Sequence, residues 1–418
     1  ERFAADLVRK LVGPSAEASG VDLERILELG RGVDGDGGQF DMTAFALRST
    51  IAANGVSQLH GRVANETWSP IIDHPVRGLT NGVHPPTWVG QPMREVIADL
   101  GGDLDHLEDE YEADRFWERL EAIPDRDLWD AHVQQKQGLQ AYAQVRLRRQ
   151  LARHGEAPGA LAELEDILDP DVMTIGFARR MATYKRAALL FSDIDRLVRL
   201  ASDPERPVQF IFAGKAHPAD RPGQGVIQTI FEHSRSERLR GRVFILEDYD
   251  MRVARYLVQG VDVWLNNPRR PLEASGTSGM KAAMNGVVNV SILDGWWDEC
   301  YDGRNGWSIG GRDTNPDEGA QDWSDAQDLY RALEEEIVPL WYERDAEGLP
   351  TGWLARMRSA ASSSLWQFST TRMLSEYVEQ MYLPAAASAA GAGARSRAAR
   401  ARAARGREGD EVPAAAGR

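Results

Sequence analysis

Nine consecutive residues, Glu273-Ala-Ser-Gly-Thr-Ser-Gly-Met-Lys281, combine a carboxylate, three hydroxyls or their small neighbours, and an amine in an order suited to holding an anion. They follow an apolar run, Val261 to Leu265, and a basic turn, Pro268-Arg-Arg-Pro271, and they run into Met280-Lys-Ala-Ala-Met284. The pattern reads as strand, small-residue loop and helix start, an arrangement that aims free backbone N–H groups at an anion. Thr277 and Lys281 stand four apart, so on a helix they share one face, with the ammonium about one turn beyond the phosphate-binding loop. That separation suits a phosphorylated aldehyde held at both ends. Pyridoxal phosphate has this shape: its phosphate takes N–H groups and a hydroxyl, and its aldehyde takes a lysine amine as a Schiff base. The spacing alone is equally open to a nucleotide site or a plain turn.

The string itself is more specific. EASGTSGMK closely resembles the lysine signature of the α-glucan phosphorylases (glycogen, starch and maltodextrin), and the resemblance implies pyridoxal 5'-phosphate carried on Lys281. Many members have Gly-Asn where this chain has Ser278-Gly279, a departure that keeps the loop small. Further segments match the family in order. Gly176-Phe-Ala-Arg-Arg-Met-Ala-Thr-Tyr-Lys-Arg186 resembles its VKRIHEYKR segment, which puts Arg180 and Lys185 on residues that grip the substrate phosphate. Arg179 falls on a lysine that contacts the cofactor phosphate, an exchange that keeps charge and alters geometry. Phe244-Ile-Leu-Glu-Asp-Tyr249 resembles IFLENY and implies Tyr249 beside the pyridine ring. Leu79-Thr-Asn-Gly-Val-His-Pro-Pro-Thr-Trp88 is similar to TNGITPRRW, with Asn81 on an asparagine that binds the glucosyl unit, since an amide both donates and accepts. On the lysine loop, Glu273, Ser275 and Gly276 match sugar contacts, Thr277 matches a cofactor-phosphate contact, and Ser278 is grouped with it. Arg180, Lys185 and Lys281 are thus the expected catalytic residues; Lys281 would be an anchor with no electron-sink role. Ala52-Ala-Asn-Gly-Val-Ser-Gln-Leu-His60 resembles AVNGVAxLH, near the end of the family's first domain. His60 reads as structural. Lys215 falls on a family lysine, whereas His84 and His217 receive no role.

The resemblance implies reversible phosphorolysis of terminal glucose from an α-1,4-glucan, giving glucose 1-phosphate with retained configuration. The partners would be the glucan, orthophosphate and glucose 1-phosphate, with homo-oligomerisation left open. It covers residues 1 to about 340, more weakly to 383, and only the second half of a usual phosphorylase. The other half would supply a glycine-rich loop that completes the phosphate site and a sugar-contacting histidine. Gly295-Trp-Trp-Asp-Glu299 departs from the muscle-type pattern and looks like the shorter bacterial branch. Two alternatives stand beside this reading: a cofactor-free glycosyltransferase of the same fold using a sugar nucleotide, and a non-catalytic glucan-binding remnant.

The elements that must position these residues show as a change of pattern at Asp171. Beyond it, apolar runs at Val172–Phe177, Val208–Ala213, Val243–Leu246, Val261–Leu265 and Val287–Leu293 alternate with helical spacing such as Ala187–Leu200. Alternation of this kind implies an α/β, Rossmann-like parallel sheet covered on both faces; the resemblance implies that it is half of a GT-B fold. In such sheets ligands bind beyond the carboxyl ends of the strands. Those ends carry Arg179-Arg180, Gly214-Lys-Ala-His-Pro218, Glu247-Asp-Tyr249 and the lysine loop. Before Asp171, helices are expected near Phe3–Val12, Val21–Leu29, Asp41–Asn65 and Leu128–His154, with an acidic helical face over Gly101–Asp130. Gly32-Val-Asp-Gly-Asp-Gly-Gly38 reads as a turn, because the ligands of a calcium loop do not follow. Pro158–Pro170 reads as a linker. After the sheet, Ser324-Asp-Ala-Gln327 reads as a capping box, and Met373 to Met381 as a last amphipathic helix. The expected division is 1–78 as the end of a first domain, 79–383 as the cofactor domain and 384–418 as a disordered Ala/Gly/Arg-rich tail.

Composition narrows the partners. The 418 residues contain 42% hydrophobic residues and carry a net charge of −15, which disfavours a polyanion such as nucleic acid. No apolar run approaches a membrane span, no metal-ligand cluster is expected, and a single cysteine, Cys300, fits a reducing cytoplasm. The chain begins at Glu1 without an initiator methionine, and the resemblance favours an incomplete chain.

Overall fold

The computed structural model describes residues 1–32, 38–72, 74–99, 104, 119–156 and 168–388. The Asp-Gly turn at 33–37, most of the acidic stretch after Gly101, much of the 158–170 linker and the tail from 389 lie outside them. The chain divides into two compact units. One comprises the described residues of Glu1–Asn54, Ala64–Arg77 and Leu374–Arg418, and the other Gly55–Val63 and Gly78–Met373.

The first unit is helical, with Ala5–Ala18, Leu23–Leu29 and Met42–Ser49. Asp41 starts the third of these by accepting the N–H groups of Thr43 (2.7 Å) and Ala44 (3.1 Å). The single helix expected over Asp41–Asn65 is broken in two, Met42–Ser49 and Gln58–Trp68, by extended residues Ala53–Gly55. The break has local causes. Ser57 Oγ accepts the N–H of His60 (3.0 Å) and restarts the helix, and a Cβ at Gly55 would lie 2.5 Å from the backbone N of Gly61. At the other end of the chain, residues 383–388 are helical, where disorder was expected from 384.

The second unit is built on a six-stranded sheet: β1 (Met173–Arg180), β2 (Val208–Lys215), β3 (Val243–Leu246), β4 (Val263–Asn266), β5 (Val288–Ile292) and β6 (Gly306–Ile309). All neighbours are parallel and the order is β6-β5-β4-β1-β2-β3. Five of the strands follow the apolar runs. The sixth was not anticipated, because four residues with only Trp307 and Ile309 apolar give too little pattern. Both faces are covered, so successive residues Phe210, Ile211, Phe212 and Ala213 are all buried. The order reverses between β4 and β1, and the connections leave a crevice at that point, beyond the carboxyl ends of both strands.

Helical boundaries differ from expectation where a side chain caps the backbone. The helix read over Ala187–Leu200 starts only at Ile194, with Asp193 accepting the N–H of Arg196 (3.0 Å); tight turns at Thr183–Lys185 and Leu189–Phe191 precede it. Ser324 lies inside a helix, Glu318–Ala332, that Asp317 opens by accepting the N–H groups of Gly319 and Ala320. A further buried helix, Thr351–Leu365, was missed. None of the described helices is long and apolar enough to cross a membrane.

The long helix α1, Asp125–Arg153, is fixed to the sheet by a buried charge cluster. His132 and Lys136, one turn apart on α1, meet the two oxygens of Asp262 at 2.8 and 2.6 Å. Asp262 also accepts the N–H of Thr174 in β1 (2.7 Å), and Lys136 donates to the carbonyl of Val172 (2.8 Å). Burial alone would raise the Asp262 carboxyl, but Lys136 and His132 outweigh it and hold it at about 2. Burial lowers Lys136 in turn. We take the charged pair as the native form, since a neutral lysine would leave the carboxylate buried beside one histidine. Asp262→Ala is expected to destabilise the protein by about 3–5 kcal/mol by stranding Lys136, whereas adding Lys136→Met to that change recovers much of the loss. Urea unfolding of the single and double variants measures both.

Candidate active site

The crevice brings together two loops that are far apart in sequence. One continues β1 through Arg186; the other continues β4 through the lysine loop to helix α2, Thr277–Ala283. Arg186 ties them. Its backbone is left-handed (φ 47°), and its buried guanidinium donates to the carbonyls of Asn267 (2.7 Å) and Pro268 (2.9 Å) and meets Asp322 (2.9 Å) and Asp325 (2.7 Å). In return Asn267 Nδ2 donates to the Arg186 carbonyl (3.1 Å), and the Arg269 N–H to the Tyr184 carbonyl (2.8 Å).

Held in this way, Glu273 faces two cations, Arg179 near the end of β1 and Lys185 in the loop that follows. Its Oε2 accepts from Arg179 Nη2 at 2.6 Å and from Lys185 Nζ at 2.7 Å. Arg179 keeps Nε and Nη1 buried and without a hydrogen-bond partner, and Ser275 Oγ is in the same condition. Burial and the neighbouring Arg179 lower the Lys185 ammonium to about 8, although Glu273 opposes them. The backbone of Glu273 is fixed by a residue the sequence reading passed over. Asp294, just after β5, accepts the N–H of Glu273 with one oxygen and of Gly295 with the other, both at 2.9 Å. Burial pushes its carboxyl up to about 7; the two N–H groups pull it down and the charge of Glu273 adds to the rise. Its position at a strand end was the available signal.

At the far end of the loop, Gly276 takes φ +87° and α2 begins at Thr277. Lys281 lies in α2 with Nζ 3.8 Å from the centre of the Trp88 ring, and burial lowers its proton affinity. Among the described residues it has no carboxylate partner. Asn285, one turn further on, holds this pair together: its Nδ2 donates to the carbonyls of Trp88 (3.0 Å) and Lys281 (2.8 Å), and its Oδ1 accepts from Gly90 N and Gln135 Nε2. Neither Trp88 nor Asn285 was assigned a part from sequence; Asn285 lies in the turn just after α2, four residues beyond Lys281. Ser278 Oγ accepts from Trp264 Nε1 at 3.3 Å.

The other expected residues are placed less centrally. Arg180 is exposed at the end of β1, in register with Lys215, so two cations stand side by side on the rim. Tyr249 is half-buried after β3, its phenol raised by burial and lowered by the charge of Arg179. Asn81 is half-buried in a loop whose backbone meets Val56 (3.0 Å) and Arg372 (3.2 Å), and the hydroxyl of neighbouring Thr80 donates to half-buried Glu299 at 2.8 Å. His60 Nδ1 accepts the N–H of Val56, a structural bond, and His217 Nδ1 likewise that of Ala219.

Comparison with known proteins supplies the family. A family model described as carbohydrate phosphorylase matches residues 15–301. The chain belongs to the carbohydrate phosphorylase family. It is similar to a glycogen phosphorylase of Aquifex aeolicus, with 43% identity over 87% of this chain and 52% of the relative. A maltodextrin phosphorylase of Thermococcus litoralis is 42% identical over 88% of this chain and 43% of its own length. A glycogen phosphorylase of Mycobacterium tuberculosis is 40% identical over 93% and 46% respectively. The chain therefore spans about half the length of the curated relatives it matches.

One pH effect follows from Asp294. From the ordinary value of 3.8 up to about 7 the folded protein keeps a proton there that the unfolded chain has released, so this group's contribution to stability falls as pH rises. Asp294→Asn removes that slope and leaves one of the two N–H groups without its acceptor. Unfolding midpoints measured at about pH 4.5 and 7 should differ less in the variant than in the parent.

Proposed function

We propose that this chain forms the cofactor-bearing part of an α-1,4-glucan phosphorylase, which cleaves terminal glucose from glycogen or maltodextrin with orthophosphate and releases glucose 1-phosphate with retained configuration. The observation that carries this reading is the division of the lysine loop into two ends. At one, an amine of lowered proton affinity sits over an indole; at the other, a carboxylate meets two cations where the sheet order reverses. The relatives, a glycogen phosphorylase and a maltodextrin phosphorylase, point the same way.

The residue set fits pyridoxal 5'-phosphate. Arg179 leaves two buried nitrogens, Nε and Nη1, without a hydrogen-bond partner, and the neighbour of Lys281 is aromatic. Lys281 would hold the aldehyde end, Thr277, Ser278 and Arg179 the phosphate, and Tyr249 the ring. When bound, the group supplies a phosphate that tunes the protonation of a substrate phosphate beside it.

Phosphorolysis breaks the bond from C1 to the leaving glucan oxygen and forms one from C1 to a phosphate oxygen. Orthophosphate brings the proton that the leaving oxygen takes up, so the pair of carboxylates used by glycosidases is not needed. In this reading Arg180 and Lys185 hold orthophosphate and offset the repulsion between neighbouring anions. Lys185, at about 8, keeps its charge at neutral pH. Asn81, Glu273, Ser275 and Gly276 meet the sugar hydroxyls and orient C1.

Borohydride reduction followed by peptide mass mapping tests the assignment directly. A pyridoxyl group is expected on Lys281 of the complete protein and absent from Lys281→Ala; an unmodified Lys281 in the reduced parent contradicts it. Arg180→Ala is expected to raise the KM for phosphate by roughly tenfold or more, the worth of a lost charge-assisted contact. Consumption of a sugar nucleotide without dependence on orthophosphate would favour the transferase alternative.

A further inference from the structure

The Glu273 carboxylate occupies ground that an anion would want. Its Oε2 is shared by Arg179 and Lys185 at 2.6 and 2.7 Å, and side-chain exposures of 7% for each cation and 12% for Glu273 leave little solvent to screen the contact. Its backbone is pinned by Asp294, so the carboxylate can leave by side-chain rotation while the loop stays in place. Two cations with one carboxylate carry a net positive charge, and Arg180 follows Arg179 as the last residue of the same strand. A phosphate arriving at Lys185 therefore meets attraction from the cations and repulsion from Glu273.

Resting on the reading above, in which phosphate uses Lys185 and sugar uses Glu273, we propose that Glu273 is a built-in competitor for the phosphate. Its carboxylate is shared by Arg179 and Lys185 and gives them up when sugar hydroxyls engage it. Sugar occupancy then raises phosphate affinity, and by linkage phosphate on Lys185 frees Glu273 for the sugar. The residue that reads the sugar is thereby also the residue that guards the anion site. Removing a contact residue would ordinarily weaken a ligand; here removing the charge of Glu273 strengthens phosphate binding.

The test is calorimetric titration of the complete, cofactor-loaded protein with inorganic orthophosphate at about pH 6.5, where Lys185 remains protonated, in the absence of glucan. Glu273→Gln is expected to bind orthophosphate about tenfold more tightly than the parent, the size of one lost competing charged contact. The gain should vanish when Lys185→Met is added to both, a cycle that a general loosening of the loop would not produce. If Glu273→Gln fails to fold, Glu273→Asp, too short to hold both cations, should show a smaller gain of the same sign. Equal or weaker binding by a folded variant of either kind, with normal binding by the parent, overturns the competitor role alone. A parent that holds the cofactor yet binds no orthophosphate overturns the phosphorylase reading with it.

Discussion

The site depends on one constraint: two loops on either side of the sheet's reversal must stay at fixed separation although neither is part of a strand. Arg186 meets it. A guanidinium offers five N–H donors in a rigid plane, and here they are spent on two carbonyls of the opposite loop and two carboxylates of the helix behind it. The left-handed backbone at Arg186 turns the chain so that its side chain points inward immediately after Lys185. Lys185 and Glu273 then face each other because the chain segments that carry them are tied one residue after Lys185 and five and six residues before Glu273.

Charge is distributed unevenly across the crevice. The Glu273 end holds two cations, one carboxylate and Asp294, whose carboxyl burial raises to about 7, whereas the Lys281 end carries a single amine against an aromatic face. Low exposure strengthens each interaction at the first end and depresses the proton affinity of both lysines. An anion is therefore favoured at one end and an electrophilic carbon at the other, which is the polarity a phosphorylated aldehyde requires.

Two departures from the family pattern turn out to be one packing change. Ser278-Gly279 stands where many members have Gly-Asn, and Gly295-Trp-Trp departs from the muscle-type pattern. A Cβ at Gly279 would lie 2.8 Å from the Trp296 ring and 2.7 Å from Asn289 Oδ1, so no side chain fits at 279 while Trp296 fills that space. Gly295 in turn has φ +55°, and a Cβ there would meet the Ser275 carbonyl at 2.4 Å. The loop and the segment after β5 are thus matched to each other.

Much of this was legible in the sequence because it is local. The run of apolar residues before a small-residue loop and a helix start gave β4, the lysine loop and α2, and five apolar runs gave five of six strands. Motif strings named Arg179, Lys185, Glu273 and Lys281. What they left out is long-range or short in pattern: β6, the helix Thr351–Leu365, and caps such as Asp193 and Asp317 that move helix starts by several residues. Partner choice is the deepest omission. Glu273 lies 94 and 88 residues from the two cations it joins, and no local propensity encodes such a pairing. The sequence by itself determined which residues bring cations, hydroxyls and an amine to the strand ends, since side-chain chemistry and local backbone pattern travel with the chain. Only the tertiary structure decided that one carboxylate is shared by Arg179 and Lys185 and that Trp88 and Asn285 frame Lys281, because burial and charge pairing arise where distant segments meet.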